Sequence, residues 1–190
     1  MDRDTQTVSE QLTRAVAESG LSQAAFAIAL GTSPSRFSTY RSGKTKPTAQ
    51  FFLRAGRIAR ALRAARERRI MTAPATATAV REAGDEDWAW RMLLQGRDHL
   101  RLLLQRHDGS EAAWEAAPGT TGHAGFDVLL AVLTAREFET AGEAPPEWTN
   151  VDPLPTPWLP EHPFLEPDEI IEQTPGYVAK ANIFVPARDL

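Results

Sequence analysis

The stretch SQAAFAIALGTSPSRFSTYRSGKTKP, residues 22–47, breaks an apolar helical pattern once, at Gly31, and then resumes with small polar side chains. A helix buried in a core would carry leucine where this second segment carries serine and threonine. Glycine at the break permits the positive φ with which many helices end. The pattern therefore predicts two short helices joined by a tight turn, the second with a small, polar outer face.

Small and apolar residues recur at the positions where two crossing helices meet. Ala27 falls where the helices approach closely, because a larger side chain would hold them apart. Phe37 follows Gly31 by six residues and supplies an apolar anchor on the second helix. This spacing is typical of a helix-turn-helix. The other inward positions are assigned to Phe26, Leu30 and Tyr40.

Four helices are predicted before residue 70 from apolar periodicity, serine caps and glycine stops. The next segment, residues 71–84, is small, polar and interrupted by Pro74, so it is predicted to be a linker. The four predicted helices cover residues 8–19, 22–30, 33–42 and 47–69.

The outer face of the second helix suits the major groove of DNA. Small side chains let the two backbones come close, while hydroxyl and guanidinium groups reach base edges. The exposed residues expected to read DNA are Ser33, Pro34, Ser35, Arg36, Ser38 and Thr39.

Charge is distributed unevenly along the chain. Residues 1–70 hold 13 Lys/Arg against 5 Asp/Glu, whereas residues 71–190 hold 8 against 20, although the formal net charge is only −4. A basic half suits a polyanion, so double-stranded DNA is the partner expected for the first part. A domain of this size touches few phosphates, which favours a homodimer on a two-fold operator.

Residues 8–66 resemble the Cro/C1-type (XRE) family of helix-turn-helix repressors. The resemblance implies an all-α protein that begins with a five-helix DNA-binding domain over residues 1–70. It rests on Gln23, Phe26, Ala27, Gly31, Phe37, Tyr40, Gly43 and Pro47.

The same resemblance adds four residues to the expected DNA-binding set. It implies that Gln23 faces a phosphate or a base and that Lys44 and Lys46 lie on the DNA backbone. Arg41 stands where the family often has glutamate, so an internal ion pair is lost and a phosphate contact becomes available. Thr32 departs from the family as well, since an aliphatic residue is usual there.

The second half is predicted to contain a small helical domain, residues 85–144, followed by an extended acidic segment that we call the strap, residues 145–190. Ten of the fourteen prolines lie in the strap, and proline at this density forbids a continuous helix or a central strand. The strap nevertheless carries many large apolar side chains, which a disordered tail would lack. It is therefore expected to lie on a surface.

Three interpretations of this half remain open. In the first, the strap wraps a protein partner, which the acidity of the strap predicts to be basic. In the second, the helical part senses a ligand or dimerises, as in a stand-alone repressor. In the third, the strap covers only its own domain. In the first interpretation the aromatic anchors are Trp148, Trp158, Phe164, Tyr177 and Phe184.

Two segments of the strap, PPEWTNVDPLPTPWLP (145–160) and TPGYVAKANIFVPARDL (174–190), are similar to the tail of actinobacterial-type antitoxins encoded beside nucleotidyltransferase-like toxins. The segment HAGFDVLLAVLTAREFE (123–139) is similar to the helix that precedes that tail. This resemblance, over residues 85–190, implies an antitoxin that represses its own operon and masks a toxin.

No catalytic, metal or cofactor site is predicted. The four histidines show no metal-ligand spacing, and no glycine-rich phosphate loop is present. Self-cleavage at Ala83-Gly84 would need a serine beside a neutral lysine. The only candidates downstream, Ser110 and Lys180, do not lie in a β-rich domain, so the protein is not expected to be an enzyme.

The expected location is the cytoplasm. The chain has no cysteine, which excludes disulfides and fits a reducing compartment. No run reaches the roughly 18 apolar residues of a membrane span, and the polar first residues do not form a secretory signal.

Overall fold

The computed structural model describes residues 2–190. Over that range the chain is all-helical, with nine α-helices, three short 3-10 turns and no strand, so the predicted all-α class is confirmed. An isolated parallel bridge joins Trp158 and Ile183. The helices are α1 (Arg3–Ser19), α2 (Gln23–Ala29), α3 (Pro34–Arg41), α4 (Ala49–Glu67), α5 (Ala73–Arg81), α6 (Glu86–Leu104), α7 (Ala124–Thr140), α8 (Pro167–Gln173) and α9 (Gly176–Ala179).

Within the described range, none of these helices combines the length and the apolar character needed to cross a bilayer.

The chain folds into two compact units whose boundaries differ from the expected ones at residues 70 and 85. Unit 1 extends to Thr76 and also contains Asp98–Gly119. Unit 2 consists of Ala77–Arg97 and Thr120–Leu190. The chain passes from unit 1 to unit 2 within α5, returns to unit 1 within α6, and enters unit 2 again after Gly119.

The linker predicted over residues 71–84 is instead mostly helix α5. Pro74 occupies the second helical position, where a missing N–H breaks no intrahelical bond, so it does not interrupt the helix. The hydroxyl of Thr72 accepts a hydrogen bond from the amide of Ala75 at 3.3 Å and caps the first turn. The small side chains that suggested a linker are packed: Ala73, Thr76, Ala77 and Val80 are buried.

Unit 1 is built from helices whose starts are encoded locally. The side chains of Asp2, Ser22, Ser33 and Thr48 each accept the third amide of the helix that follows. Because Asp2 caps α1, that helix begins five residues earlier than predicted.

The described part of residues 1–70 contains four α-helices rather than five. A segment from later in the chain completes the core of unit 1: the 3-10 turn Ser110–Trp114 packs on α4. Ala112, Ala113 and Ala116 belong to the same buried cluster as Phe26 and Phe37. The amide of Ala117 also donates to the carbonyl of Ala29, at the end of α2, at 2.9 Å.

Unit 2 contains the beginning of α6, all of α7 and the strap. The strap is not fully extended, because α8 and α9 interrupt it. Pro167 is the first residue of α8, a position that needs no N–H, and Glu166 and Glu169 form a capping box there. The prolines of the strap therefore exclude a long helix, whereas Pro167 favours the start of the short helix α8.

The strap is hydrogen-bonded to itself within unit 2. The amide of Leu154 donates to the carbonyl of Ala181 at 3.0 Å, and the amide of Trp158 donates to the carbonyl of Asn182 at 2.9 Å. The amide of Phe184 returns a bond to the carbonyl of Trp158 at 2.9 Å. Two separate parts of the strap are thus joined side by side.

Candidate nucleic-acid interface

Helices α2 and α3 pack around aromatic residues of unit 1. The rings of Phe26 and Phe37 meet edge to face, with centroids 5.8 Å apart. The turn between the helices is closed by a 3.0 Å hydrogen bond from the amide of Thr32 to the carbonyl of Ala27, and Gly31 there has φ +71°. All five residues predicted to point inward are buried: Phe26, Ala27, Leu30, Phe37 and Tyr40.

The opposite face of α3 is open to solvent. It carries hydroxyls, one proline ring and one guanidinium, and no large apolar side chain. Of the predicted DNA-binding residues, Ser33, Pro34, Ser35, Arg36, Ser38, Lys44 and Lys46 are exposed, and Gln23, Thr39 and Arg41 are half-buried.

The Arg36 side chain is held in a defined position. Its Nε donates a 2.7 Å hydrogen bond to the hydroxyl of Tyr40, one helical turn away, and its guanidinium carbon lies 5.8 Å from the centre of that ring. The two terminal nitrogens are not used by this bond. An arginine oriented in this way is suited to the bidentate contact that guanine accepts.

The hydroxyls of α3 divide into those engaged by the helix itself and those left open. Ser33 Oγ accepts a hydrogen bond from the amide of Arg36 at 3.2 Å and lies 3.1 Å from Ser35 Oγ. Its hydroxyl is therefore engaged in capping the N-terminus of α3. Thr39 Oγ1 donates to the carbonyl of Arg36 at 2.8 Å. Ser38 makes no such side-chain bond among the described residues, which leaves its hydroxyl available to a ligand.

Arg41 and Gln23 contact each other, which their separate assignments to DNA did not anticipate. The guanidinium of Arg41 donates to Oε1 of Gln23 and, at 3.2 Å, to the hydroxyl of Thr13. The carbonyl of Arg41 accepts from Ser9 Oγ. Arg41 thus ties the end of α3 to α1 and α2.

We expect Arg41→Ala to lower the free energy of unfolding by about 1–2 kcal/mol, because Gln23 and Thr13 lose a charged donor in a half-buried position. Urea denaturation checks this value. Arg14→Ala is the matched control, since Arg14 is exposed on α1 and has no hydrogen bond or ion pair among the described residues. Equal effects of the two substitutions would contradict the bridging role of Arg41.

The two lysines lie in the loop that follows α3. Lys46 Nζ is 4.0 Å from the Asp2 carboxylate, and both side chains are largely exposed. Hydrogen bonds from the amide and the hydroxyl of Thr5, with the charge of Lys46 adding to them, hold the pKa of the Asp2 carboxyl below its usual value. The pair is too exposed to stabilise much, so Lys46 can exchange Asp2 for a phosphate at little cost.

Two arginines of α4, Arg57 and Arg66, bind other elements of unit 1. Arg57 makes a bidentate pair with the Glu115 carboxylate, at 3.2 and 2.5 Å. Arg66 donates to the carbonyls of Ser19 and Glu18, at 2.9 and 3.2 Å, and so caps the end of α1. Arg57 and Arg66 thus join α4 to neighbouring elements of unit 1.

Among the residues expected to hold a protein partner, Trp158 is used inside unit 2. Its ring stacks on Trp90, with centroids 6.0 Å apart and planes 8° from parallel. Phe126 and His123 lie 5.1 and 5.0 Å from it, centroid to centroid. Gly125 lies so close that a Cβ there would come within 2.3 Å of the indole. Trp158 is therefore a packing residue of its own unit.

The other four predicted anchors differ in exposure. Phe164 is 85% exposed, an unusual state for a phenylalanine. Tyr177 is half-buried beneath Arg136, whose guanidinium carbon lies 5.4 Å from the ring centre. Trp148 and Phe184 are half-buried as well.

Among the residues that the structure describes, no group of three or more His, Asp or Glu side chains is arranged to hold a metal ion. Comparison with protein-family models, with curated proteins and with solved structures finds no match for the chain.

Proposed function

We propose that this protein is a sequence-specific DNA-binding transcriptional regulator of the Cro/C1 type, with α3 as the helix that reads the major groove. The observation that carries the proposal is the two-sidedness of α3. Phe37 and Tyr40 are sealed in the core, while Ser35, Arg36 and Ser38 face solvent. A helix with one apolar face and one small polar face with a fixed guanidinium suits the groove.

The charge of the two units supports the same division of labour. Unit 1 holds fifteen Lys/Arg against nine Asp/Glu, and unit 2 holds six against sixteen. Phosphates attract the first unit and repel the second. A pair of such chains bound to a two-fold operator would double the small number of phosphate contacts that one copy makes.

We assign the acidic unit to a protein partner, which makes the chain the antitoxin of a type II toxin-antitoxin pair. In this role it represses its own operon through unit 1 and neutralises a toxin through unit 2. The likeness of the strap to antitoxin tails supports this assignment, and so does an exposed Phe164 on a surface rich in carboxylates.

Binding to the DNA upstream of its own gene tests the first half of the proposal. We expect the whole chain to bind that fragment at least about a thousandfold more tightly than a shuffled fragment at physiological salt, since specific readout adds to the phosphate contacts. A gel-shift titration measures both affinities. Equal affinity for the two fragments would contradict sequence-specific binding.

Co-expression with the product of the adjacent reading frame tests the second half. We expect the chain to restore growth and to co-purify with that product, and we expect deletion of residues 145–190 to abolish both effects. Neutralisation that survives the deletion would contradict the role of the strap.

A further inference from the structure

Unit 2 contains an open cleft of about 730 Å³ between one face of α6 and the end of the strap. The α6 side is formed by Asp87, Trp90, Arg91 and Leu94, spaced as one helical face requires. This volume lies within the usual range for a binding cleft. The face was not recognised in the sequence, because its mixed polar and apolar residues are also typical of an ordinary amphipathic helix.

The opposite side of the cleft carries Phe164, in a turn fixed by His162. The Nδ1 of His162 accepts the amides of Phe164 and Leu165, at 3.1 and 2.9 Å. Its Nε2 lies 3.2 Å from a carboxylate oxygen of Asp189. The backbone that carries the exposed phenyl ring is thus fixed before any ligand arrives, which lowers the entropy lost on binding.

The charges around the cleft indicate what binds there. Three acidic residues line it, Asp87, Glu161 and Asp189, and so do two basic ones, Arg91 and Arg188. Arg188 lies 3.9 Å from Asp189, whereas Asp87 and Glu161 have no ion-pair partner among the described residues. They belong to a unit with sixteen acidic residues against six basic ones. This excess of negative charge repels nucleic acid and attracts a basic surface.

The floor of the cleft is apolar and aromatic. Trp90, Leu94 and Phe184 are half-buried there, and Ile170 is buried beneath them. Together with the ring of Phe164 they give the cleft an apolar surface. Arg91 also lines the cleft and can donate to the backbone carbonyls of a bound chain.

We propose that this cleft binds a basic segment of a protein partner, with a large apolar side chain inserted beside Phe164 and with lysines or arginines paired to Asp87 and Glu161. This inference rests on the proposed partner-binding role of unit 2 and does not depend on DNA binding by unit 1. It names where on unit 2 the partner is held and by which chemistry.

Labelled peptides of one length test the proposal by fluorescence anisotropy with the whole chain. The first peptide has a central phenylalanine flanked by lysines, the second replaces every lysine by glutamate, and the third replaces the phenylalanine by serine. We expect only the first to bind well, with an affinity that falls as salt is raised. Failure of the first peptide to bind, or equal binding of all three, would overturn the proposal.

Two variants locate the site, and one controls for general effects. We expect Phe164→Ala and Glu161→Gln each to weaken binding of the first peptide by about tenfold. Ile171→Ala removes a similarly apolar, 48% exposed side chain of the strap that does not line the cleft, and we expect it to change nothing. Equal losses in all three variants would overturn the assignment to the cleft.

The neighbouring gene product separates this inference from the proposed function. If that product co-purifies equally well with the wild type and with Phe164→Ala, the cleft assignment is wrong while the antitoxin role stands. If it fails to co-purify with the wild-type chain, the antitoxin role is wrong, and the peptide titration still decides the cleft.

Discussion

Replacing Trp114 by alanine is expected to lower the free energy of unfolding of unit 1 by about 3–5 kcal/mol, the range for removing a buried aromatic side chain. Trp114 is completely buried, and its indole N–H donates to the carbonyl of Met71 at 3.1 Å. The substitution leaves a cavity behind α4 and an unsatisfied carbonyl. It also loosens the segment whose Ala117 is bound to the end of α2.

Hydrogen exchange of the amides in α2 and α4 measures this effect within unit 1, without assuming that the whole chain unfolds at once. Trp88→Ala is the matched control, because that indole is 47% exposed; we expect a change within about 0.5 kcal/mol. If Trp114→Ala were as mild as the control, residues 98–119 would not be part of the core of unit 1.

The second large effect is expected from Gly125→Ala at the start of α7. The added Cβ would lie 2.3 Å from two ring carbons of Trp158, a distance that forces the indole to move. Trp158 is stacked on Trp90 and its backbone is bonded to Asn182 and Phe184, so it has little freedom to retreat. We expect a loss of about 1–3 kcal/mol, the usual cost of overpacking.

Near-ultraviolet circular dichroism and thermal unfolding measure this change, because the stacked indoles of Trp90 and Trp158 contribute to the aromatic signal. Gly84→Ala is the control within the same unit: nothing lies within 4 Å of its added Cβ, and its φ is not positive. We expect that variant to be as stable as the wild type or slightly more so. A Gly125→Ala protein with an unchanged spectrum would contradict the close packing of Trp158.

The parts of the fold that the sequence predicts are those fixed by neighbours along the chain. Ser22 and Ser33 cap the helices that follow them, and Gly31 has the positive φ that the turn requires. Each of these signals acts over three or four residues, so it can be recognised without knowledge of distant contacts. The same is true of the alternation that buries Phe37 and exposes Arg36.

The parts that the sequence does not predict depend on long-range packing. The sequence predicts a linker where α5 lies, because proline breaks the interior of a helix. Pro74 instead lies in the first turn of α5, where proline is tolerated. The return of residues 98–119 to unit 1 depends on the hydrogen bond from the Trp114 indole to the carbonyl of Met71, which lies 43 residues earlier in the chain. No local pattern indicates such a pairing.

The candidate sites divide in the same way. The exposed face of α3 follows from helical periodicity, but the bond between Arg41 and Gln23 joins residues 18 positions apart and needs the fold to be seen. Aromatic composition alone does not distinguish Trp158, which packs against Trp90 inside unit 2, from Phe164, which is exposed. The difference lies in Gly125, whose missing side chain makes room for the indole.

The affinity of the whole chain for the DNA upstream of its own gene, compared with that of a Ser35→Ala/Arg36→Ala double variant, tests the central claim most directly. Arg60→Ala is the control, since it removes one exposed positive charge of unit 1 outside α3. We expect the double variant to lose about 10- to 100-fold in affinity for this fragment and much less for shuffled DNA, because base contacts are lost. We expect Arg60→Ala to affect both fragments equally and weakly. An unchanged affinity of the double variant for the upstream fragment would contradict the assignment of α3 as the DNA-reading helix.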